Sequence, residues 1–516
     1  MTSSKAIPGC PVVAPARNCL PLLKLPEPKL LFGYSQALED PRDGLTLFGP
    51  LDEGKIFGIR PAVIGTTAGI RRFWRWVDQV QRPIDDGKMS RPPFPGFEAA
   101  FNVPFGQQAV FEISVDEEEL TAACHIGDAH QRVHRVVQLY AQPIRAAVRD
   151  EAKADVWFVI IPDEVYVSCR PESVVPKEAR TAFEIPISRR FSRRLVVEPV
   201  MFEELNEDAR PYRYQAHFHN QLKAILLDAE TPTQIIREST IAPGDFLNQM
   251  GYPRRKVGFP SEIAWNLCTT AFYKSGARPW KLAEIRPGVC YLGIVFKRDD
   301  SGVRGGWSSC GAQMFLDSGD GLVFKGTGGP WYSAATNTYH LDEDAARRLI
   351  RAAIDEYTSR AGGPPDELFV HGKARFDDAE WRGFRSGAPP STRIVGVRIR
   401  LAEDLRIFGG GRHAVLRGLA YVRDERTGFL WANGFIPRLR TYPGREVPRG
   451  LLVDVCRGHA DIRVVLSDVL ALTKLNYNAC IYGDGQPVTL GFADAVGEIL
   501  TAGPVSGAPL PFKLYI

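Results

Sequence analysis

The sequence predicts an α/β chain in two units, a Rossmann-like unit followed by an RNase H-like one. Three observations carry that prediction. Apolar runs of strand length alternate with helical patterns over about residues 51–255, the order of a doubly wound parallel sheet. Three strand-like runs, Val289–Phe296, Ala312–Phe315 and Gly321–Lys325, then come in succession before a helix and further strands, the order of an RNase H-like α/β domain. The chain has 516 residues, 44% hydrophobic and 10% aromatic, which is too long for one ordinary core and rich enough to build more.

Residues 1–50 are proline-rich, and Asp40-Pro41-Arg42-Asp43-Gly44 marks a turn before Leu45–Phe48. They read as an N-terminal arm that packs on a larger body. From residue 51 a strand, Ile59–Ile64, ends at Gly65-Thr66-Thr67. Phe73, Trp74, Val77 and Val80 follow at helical spacing within Ile70–Val80. The turn Gly65–Gly69 has neither the lysine nor the spacing of a phosphate-binding P-loop. Val156–Ile161, stopped by Pro162-Asp163, is the continuous apolar run of a parallel strand covered on both faces. A helix over Tyr214–Leu227 and a strand over Thr233–Ile236 complete this unit.

The second unit, residues 256–516, is laid out around Cys290–Arg298, closed by the turn Asp299-Asp300-Ser301-Gly302. The turn Asp317-Ser318-Gly319-Asp320 separates the next two strands. A helix over Asp342–Tyr357 shows Leu349, Ile350, Ala353, Ile354 and Tyr357 on one face. Glu367–His371 is the following strand. After it Val395, Val397 and Ile399 alternate with Gly396, Arg398 and Arg400, as in a half-buried strand.

Sixty-four Lys and Arg against 60 Asp and Glu leave a net charge of +4, so bulk charge alone establishes no nucleic-acid partner. Arg189-Arg190-Phe191-Ser192-Arg193-Arg194 is the local exception. It reads equally as a solvated basic strand or loop and as a phosphate contact. Nine cysteines without a Cys-x-x-Cys pair suggest neither zinc nor a disulfide framework, but reduced thiols of a cytoplasmic protein. Prolines interrupt the N-terminus where a signal peptide needs an apolar core, and no run of roughly 18–20 apolar residues occurs, so no membrane partner is expected.

Three stretches carry chemistry. In His217–Thr240, His219 and Lys223 stand one helical turn apart, so an imidazole and an ammonium converge on one anion, and Gln234 on the next strand adds an amide. An amphipathic surface helix with incidental polar groups is the competing reading. In Ser261–Leu282, Lys274 projects from the end of an apolar helix before Gly276. The third stretch is Thr473-Lys474-Leu475-Asn476-Tyr477-Asn478.

In this order, Pro232-Thr233-Gln234 before a short strand, the Trp265-Asn266-Leu267 helix running to Tyr273-Lys274 and Pro279-Trp280-Lys281-Leu282, and Thr473–Asn478 resemble the MID and PIWI domains of Argonaute proteins. The resemblance covers residues 51–516, with MID at 51–255 and PIWI at 256–516. It leaves no room for N-terminal and PAZ domains of usual size, as in short prokaryotic Argonautes. It implies a guide 5′-phosphate pocket formed by His219, Lys223, Gln234, Lys274 and the C-terminal carboxylate of Ile516. Mg²⁺ is implied there too, with Ile516 as its ligand. Two ammonium groups and polar donors neutralise a terminal phosphate and fix its register without reading sequence.

Slicing members hold two metal ions with acidic side chains. The resemblance places those positions at Val295, Asp320, Lys373 and Asn478, of which only Asp320 is a carboxylate. The implied chain is therefore catalytically inactive: it holds a small 5′-phosphorylated guide RNA, pairs it with invading single-stranded target DNA, and activates a partner effector carrying an APAZ domain. Two alternatives stay open. One is an active endonuclease with ligands relocated to Asp299, Asp377 or Asp378; the other is an interaction protein that binds no nucleic acid.

Overall fold

The computed structural model describes residues 21–150, 153–182, 187–298, 308–315, 321–325, 331–333, 337–442, 444–503 and 509–516. The arm is stitched into the second half of the chain. Leu22–Lys24 (β1) pairs antiparallel with Leu419–Val422, while Leu30–Leu31 (β2) pairs with Ala37–Leu38 (β3) and with Lys281–Leu282. Beyond the arm comes a parallel sheet of Pro61–Gly65 (β4), Glu112–Ser114 (β5), Val156–Ile161 (β6) and Thr233–Arg237 (β7), in the order β5-β4-β6-β7.

Both β4 and β6 are buried at every position, because helices cover both faces. Alternate residues explain this: Val63, Phe158 and Ile160 pack with Ile70, Phe73 and Val77 of Thr67–Val80 (α1). Ala62, Ile64, Trp157 and Val159 pack with Val133, Val137 and Tyr140 of Ala129–Val148 (α2). The Thr66 hydroxyl caps α1 by accepting from the Gly69 amide at 3.0 Å.

Two sequence expectations change here. Arg189–Arg194 is neither strand nor loop but part of a helix, Arg189–Val197 (α3), capped by Ser188. Ser192 and Leu195, three apart, supply its buried face, while Arg189, Arg190 and Arg194 stay exposed. The helix expected from Tyr214 begins only at Phe218 and ends at Leu226 (α4), because the His217 Nδ1 accepts from the Asn220 amide at 3.4 Å and caps it there.

Pro260–Lys274 (α5) packs against both halves. Trp265 meets Phe94 edge-on at 5.0 Å and Phe272 stacks on Phe101 at 4.9 Å, while Tyr273 stacks on Tyr477 at 4.4 Å. Next come Lys281–Leu282 (β8), Val289–Arg298 (β9), Ser308–Phe315 (β10), Gly321–Lys325 (β11), and the hairpin Trp331–Ser333 (β12) and Thr338–His340 (β13). Glu343–Ala361 (α6), Glu367–Gly372 (β14), Asp378–Gly387 (α7) and Arg393–Leu401 (β15) follow, and then Leu419–Val422 (β16), Thr427–Trp431 (β17) and Leu451–Arg457 (β18). Ile462–Leu472 (α8), Ala493–Thr501 (α9) and Leu510–Pro511 (β19) close the described chain.

Nine of these strands and β1 form a ten-stranded mixed sheet in the order β1-β16-β17-β18-β15-β14-β9-β10-β11-β19, while β8 pairs with β2 and β12 with β13. Parallel pairing is confined to β9, β14 and β15. Cys290, Leu292 and Ile294 of β9 pack under α6. The alternate residues Tyr291 and Val295 face the opposite layer, built from α8 and α9. Gly293 interrupts the apolar run because the carbonyl of Thr489 presses on it, in space a side chain would occupy.

Thr473–Asn478 holds the arm down. The Lys474 Nζ donates to Glu27 Oε1 at 3.0 Å and to the carbonyls of Glu39 at 2.7 Å and Tyr482 at 2.5 Å. Glu27 also accepts from Arg417 Nε at 2.9 Å. The Trp280 Nε1 donates to the Lys474 carbonyl at 3.1 Å and the Tyr477 hydroxyl to the Trp280 carbonyl at 3.0 Å. Cys124, Cys169, Cys268, Cys290 and Cys480 are buried and Cys456 is half-buried. No helix is long and apolar enough to cross a membrane among the described residues.

Candidate functional site

Lys223 stands in the last turn of α4 and Lys274 ends α5. Both side chains reach one backbone oxygen: the Thr233 carbonyl accepts from Lys223 Nζ at 2.7 Å and from Lys274 Nζ at 3.0 Å. Lys223 also donates to the main-chain oxygens of Ile516 at 2.6 Å and Leu514 at 3.4 Å. Each lysine is only 2% exposed. No Asp or Glu side chain pairs with either among the described residues.

Burial holds the Lys223 ammonium down, to about 7. It holds Lys274 well below the usual lysine range, with the charge of Lys223 as the second cause. Carbonyl dipoles and the C-terminal ends of two helices give partial compensation, and among the described residues no side-chain carboxylate answers either ammonium.

His219, on the same helix, is pushed down to about 4, by the surrounding protein first and by the Lys223 charge second. Its ring surface is nonetheless exposed, since it lines the wall of a cavity of about 320 Å³. That cavity also contains Tyr166, Arg170, Arg237 and Leu267. Tyr166 lies between two guanidinium groups, with Arg237 at 3.7 Å and Arg170 at 4.4 Å from its ring centre. Gln234, by contrast, turns toward α5: its Nε2 donates to the Leu267 carbonyl at 3.2 Å and its Oε1 has no partner among the described residues. The structure thus gathers Lys223 and Lys274 on the Thr233 carbonyl, ties Ile516 to them through Lys223, sets His219 beside them, and gives Gln234 a contact of its own. The Thr233 carbonyl and the Arg–Tyr–Arg stack carried no sequence signal, the first because a backbone oxygen has none.

Mg²⁺ fits this pocket poorly as it stands. A hard cation needs several anionic or neutral oxygens, whereas the Ile516 oxygen already accepts from an ammonium and no side-chain carboxylate pairs with either lysine among the described residues.

A second cavity, of about 200 Å³, opens where β9 and β14 end. Val295, Lys373, Arg375 and Asp494 line it, with His340 and Glu380 on its far side. Val295 is buried opposite Gly311. Lys373 pairs with Asp494 at 2.7 Å. Next to it His371 belongs to the core: its Nδ1 meets the Thr489 hydroxyl at 2.9 Å, and burial pushes its imidazole down to about 3.

The cavity therefore brings Val295 and Lys373 together with Asp494, not with Asn478. Asn478 lies in the loop after α8, where its amide donates to Asn476 Oδ1 at 2.8 Å, and it is not among the residues lining the cavity. Asp320 and Asp299 lie outside the described residues. Asp494 carried no sequence signal because its partner Lys373 is 121 residues away, in the bend after β14.

One group of metal-ligand type occurs among the described residues: His340, Asp377 and Glu380. Its valences are taken internally. Glu380 accepts from His340 Nδ1 at 2.8 Å, the Leu341 amide at 2.9 Å and the Asp377 amide at 3.0 Å. Asp377 in turn accepts from the Glu380 amide at 2.7 Å, a capping box for α7. Glu380 raises the His340 pKa, chiefly through their hydrogen bond. This is a helix start locked by a buried imidazole.

A four-stranded parallel sheet followed by a ten-stranded mixed sheet is an architecture with counterparts among solved structures. The Argonaute of Clostridium butyricum, bound to a guide DNA and a 19-mer target DNA, matches with a TM-score of 0.62 at 12% identity, over 96% of this chain and 54% of that one. Drosophila Piwi matches at 0.54 and 11%, over 96% and 56%. Aquifex aeolicus Argonaute matches at 0.51 and 15%, over 94% and 53%. This chain spans a little over half the length of those proteins. No family model matches the sequence, and no curated protein does. The chain has an Argonaute-like fold, with a Rossmann-like MID part and an RNase H-like PIWI part.

Proposed function

We propose that this protein holds the 5′ phosphate of a small guide RNA between Lys223 and Lys274 and uses the guide to recognise single-stranded target DNA. The observation that carries the reading is the pair of buried ammonium groups on one carbonyl, with no side-chain counter-charge. Two buried lysines with no side-chain counter-charge are costly in a structural core and offer what a terminal phosphate needs. His219 lines the neighbouring cavity, where the first nucleotide would follow its phosphate.

The same reading makes the PIWI part a recognition surface that does not slice. Val295 offers no ligand to a metal ion, and Lys373 puts an ammonium where a second cation would be repelled. Target recognition is then reported to an effector partner carrying an APAZ domain, with enzymatic activity, as an NADase or a nuclease, located in that partner, in a defence against invading DNA.

The test is binding of guides that differ only at the 5′ end. Wild type should prefer a 5′-phosphorylated RNA to its 5′-hydroxyl twin. Lys223→Ala with Lys274→Ala should erase about 3 kcal/mol or more of that preference, since charge-assisted contacts contribute roughly 1.5–3 kcal/mol each. Equal affinity of wild type for both guides refutes the pocket. Target cut at a fixed position by the loaded protein with Mg²⁺ or Mn²⁺ refutes the non-slicing part.

A further inference from the structure

In the cavity beside Val295 the floor is apolar, formed by Ile294, Val295 and Phe296, and the rim is cationic, formed by Lys373 and Arg375. The carboxylates there differ in how firmly they are held. Both oxygens of Glu380 are committed to His340, Leu341 and Asp377. Asp494 is 55% exposed and its partner Lys373 44%, and they are joined by a single contact of 2.7 Å. Exposed ion pairs of this kind contribute little and exchange readily. Arg375 is 64% exposed and pairs with Asp454 at 2.8 Å, so only one edge of its guanidinium is committed.

We propose that Lys373 is a binding residue for a backbone phosphate of the target strand, and that the Asp494 carboxylate is the anion it gives up when that phosphate arrives. The inference rests on the guide-directed reading above. A phosphodiester suits the cavity better than a metal ion does: its single negative charge matches the Lys373–Arg375 rim, whereas a divalent cation would compete with the ammonium for the one carboxylate not otherwise committed. The exchange is balanced in charge, since Lys373 leaves one monoanion for another. Asp494 is not stranded by it, because it lies in the first turn of α9, where the helix dipole favours a carboxylate. Lys373 thus holds the target strand in register over Val295, the place where a slicing protein would keep its metal.

The experiment uses the full chain loaded with a 5′-phosphorylated guide RNA and titrated with complementary single-stranded DNA across a salt series. Lys373→Ala should weaken target binding about tenfold at low salt and reduce the salt slope by about one, as loss of one phosphate contact requires. Lys373→Arg should restore most of the affinity. Asp494→Asn should bind target as well as wild type or better, since it frees the ammonium in advance. Equal losses in Lys373→Ala and Asp494→Asn would overturn the proposal and leave a structural ion pair, as would unchanged target affinity in Lys373→Ala. Guide binding, measured separately, should be the same in all variants. A wild type that does not retain a 5′-phosphorylated guide overturns the guide-directed reading and this one with it, whereas normal guide retention with unaltered target affinity overturns this one alone.

Discussion

Lys223 shows how one residue links stability, pH and ligand. Burial sets its ammonium at about 7, below the 10.5 of an exposed lysine. Between those two values the unfolded chain binds the proton and the folded one releases it, so the stability of the empty protein rises with pH across that window. A bound phosphate favours the charged form again. Guide binding therefore takes up a proton at alkaline pH, and the preference for a 5′ phosphate should fall as pH rises above about 7. Affinities for 5′-phosphorylated and 5′-hydroxyl guides from about pH 6 to about pH 9 check this; a constant ratio would mean that Lys223 stays charged throughout. Lys223 was legible in the sequence by its one-turn spacing from His219, and Lys274 because it ends an apolar helix. Asp494 was not, because only the fold brings it to Lys373, and Gln234 was read as a pocket donor because strand position does not say which way an amide turns.

At the level of elements, Thr473–Asn478 changes meaning. Its sequence suggested a site near Asn478, while the structure makes Lys474 the bolt between the arm, Arg417 and the loop at Tyr482. Lys474→Ala leaves Glu27 with half its counter-charge and two carbonyls unpaired, and should cost about 3 kcal/mol, the scale for breaking a buried ion pair. Denaturant unfolding measures the loss, and limited proteolysis should find the arm cut first. An unchanged midpoint would show that the arm contributes nothing to global stability. Helix starts were less legible than strands. Apolar runs such as Val156–Ile161 announce themselves by composition, but whether α4 begins at Tyr214 or Phe218 depends on a His217 cap, and the basic run at Arg189 depends on two buried residues to become a helix.

For the whole molecule, the succession of a parallel sheet and a mixed sheet could be read from the order of strands and helices, because each strand's burial leaves its pattern in the chain. The packing of the two parts against each other could not, since α5 was assigned to one part and touches both. The same holds for α9. Its first turn carries Asp494, paired with Lys373, while farther along Glu498 accepts from Asn220 Nδ2 at 3.3 Å and the Thr501 hydroxyl meets Gln215 at 3.1 Å. Asn220 in turn contacts His219 at 3.2 Å. A single nine-residue helix thus supplies a wall of the Val295 cavity at its first turn and, farther along, holds Asn220 beside His219. Under the proposed exchange at Lys373, a target strand that moves this wall alters guide retention, and thermodynamic reciprocity then fixes the converse: whatever factor the target adds to the hold on the guide, the guide adds to the capture of the target. The equilibrium dissociation constant of the guide, measured with and without target, should therefore fall by that factor in wild type and by less in Asp494→Asn.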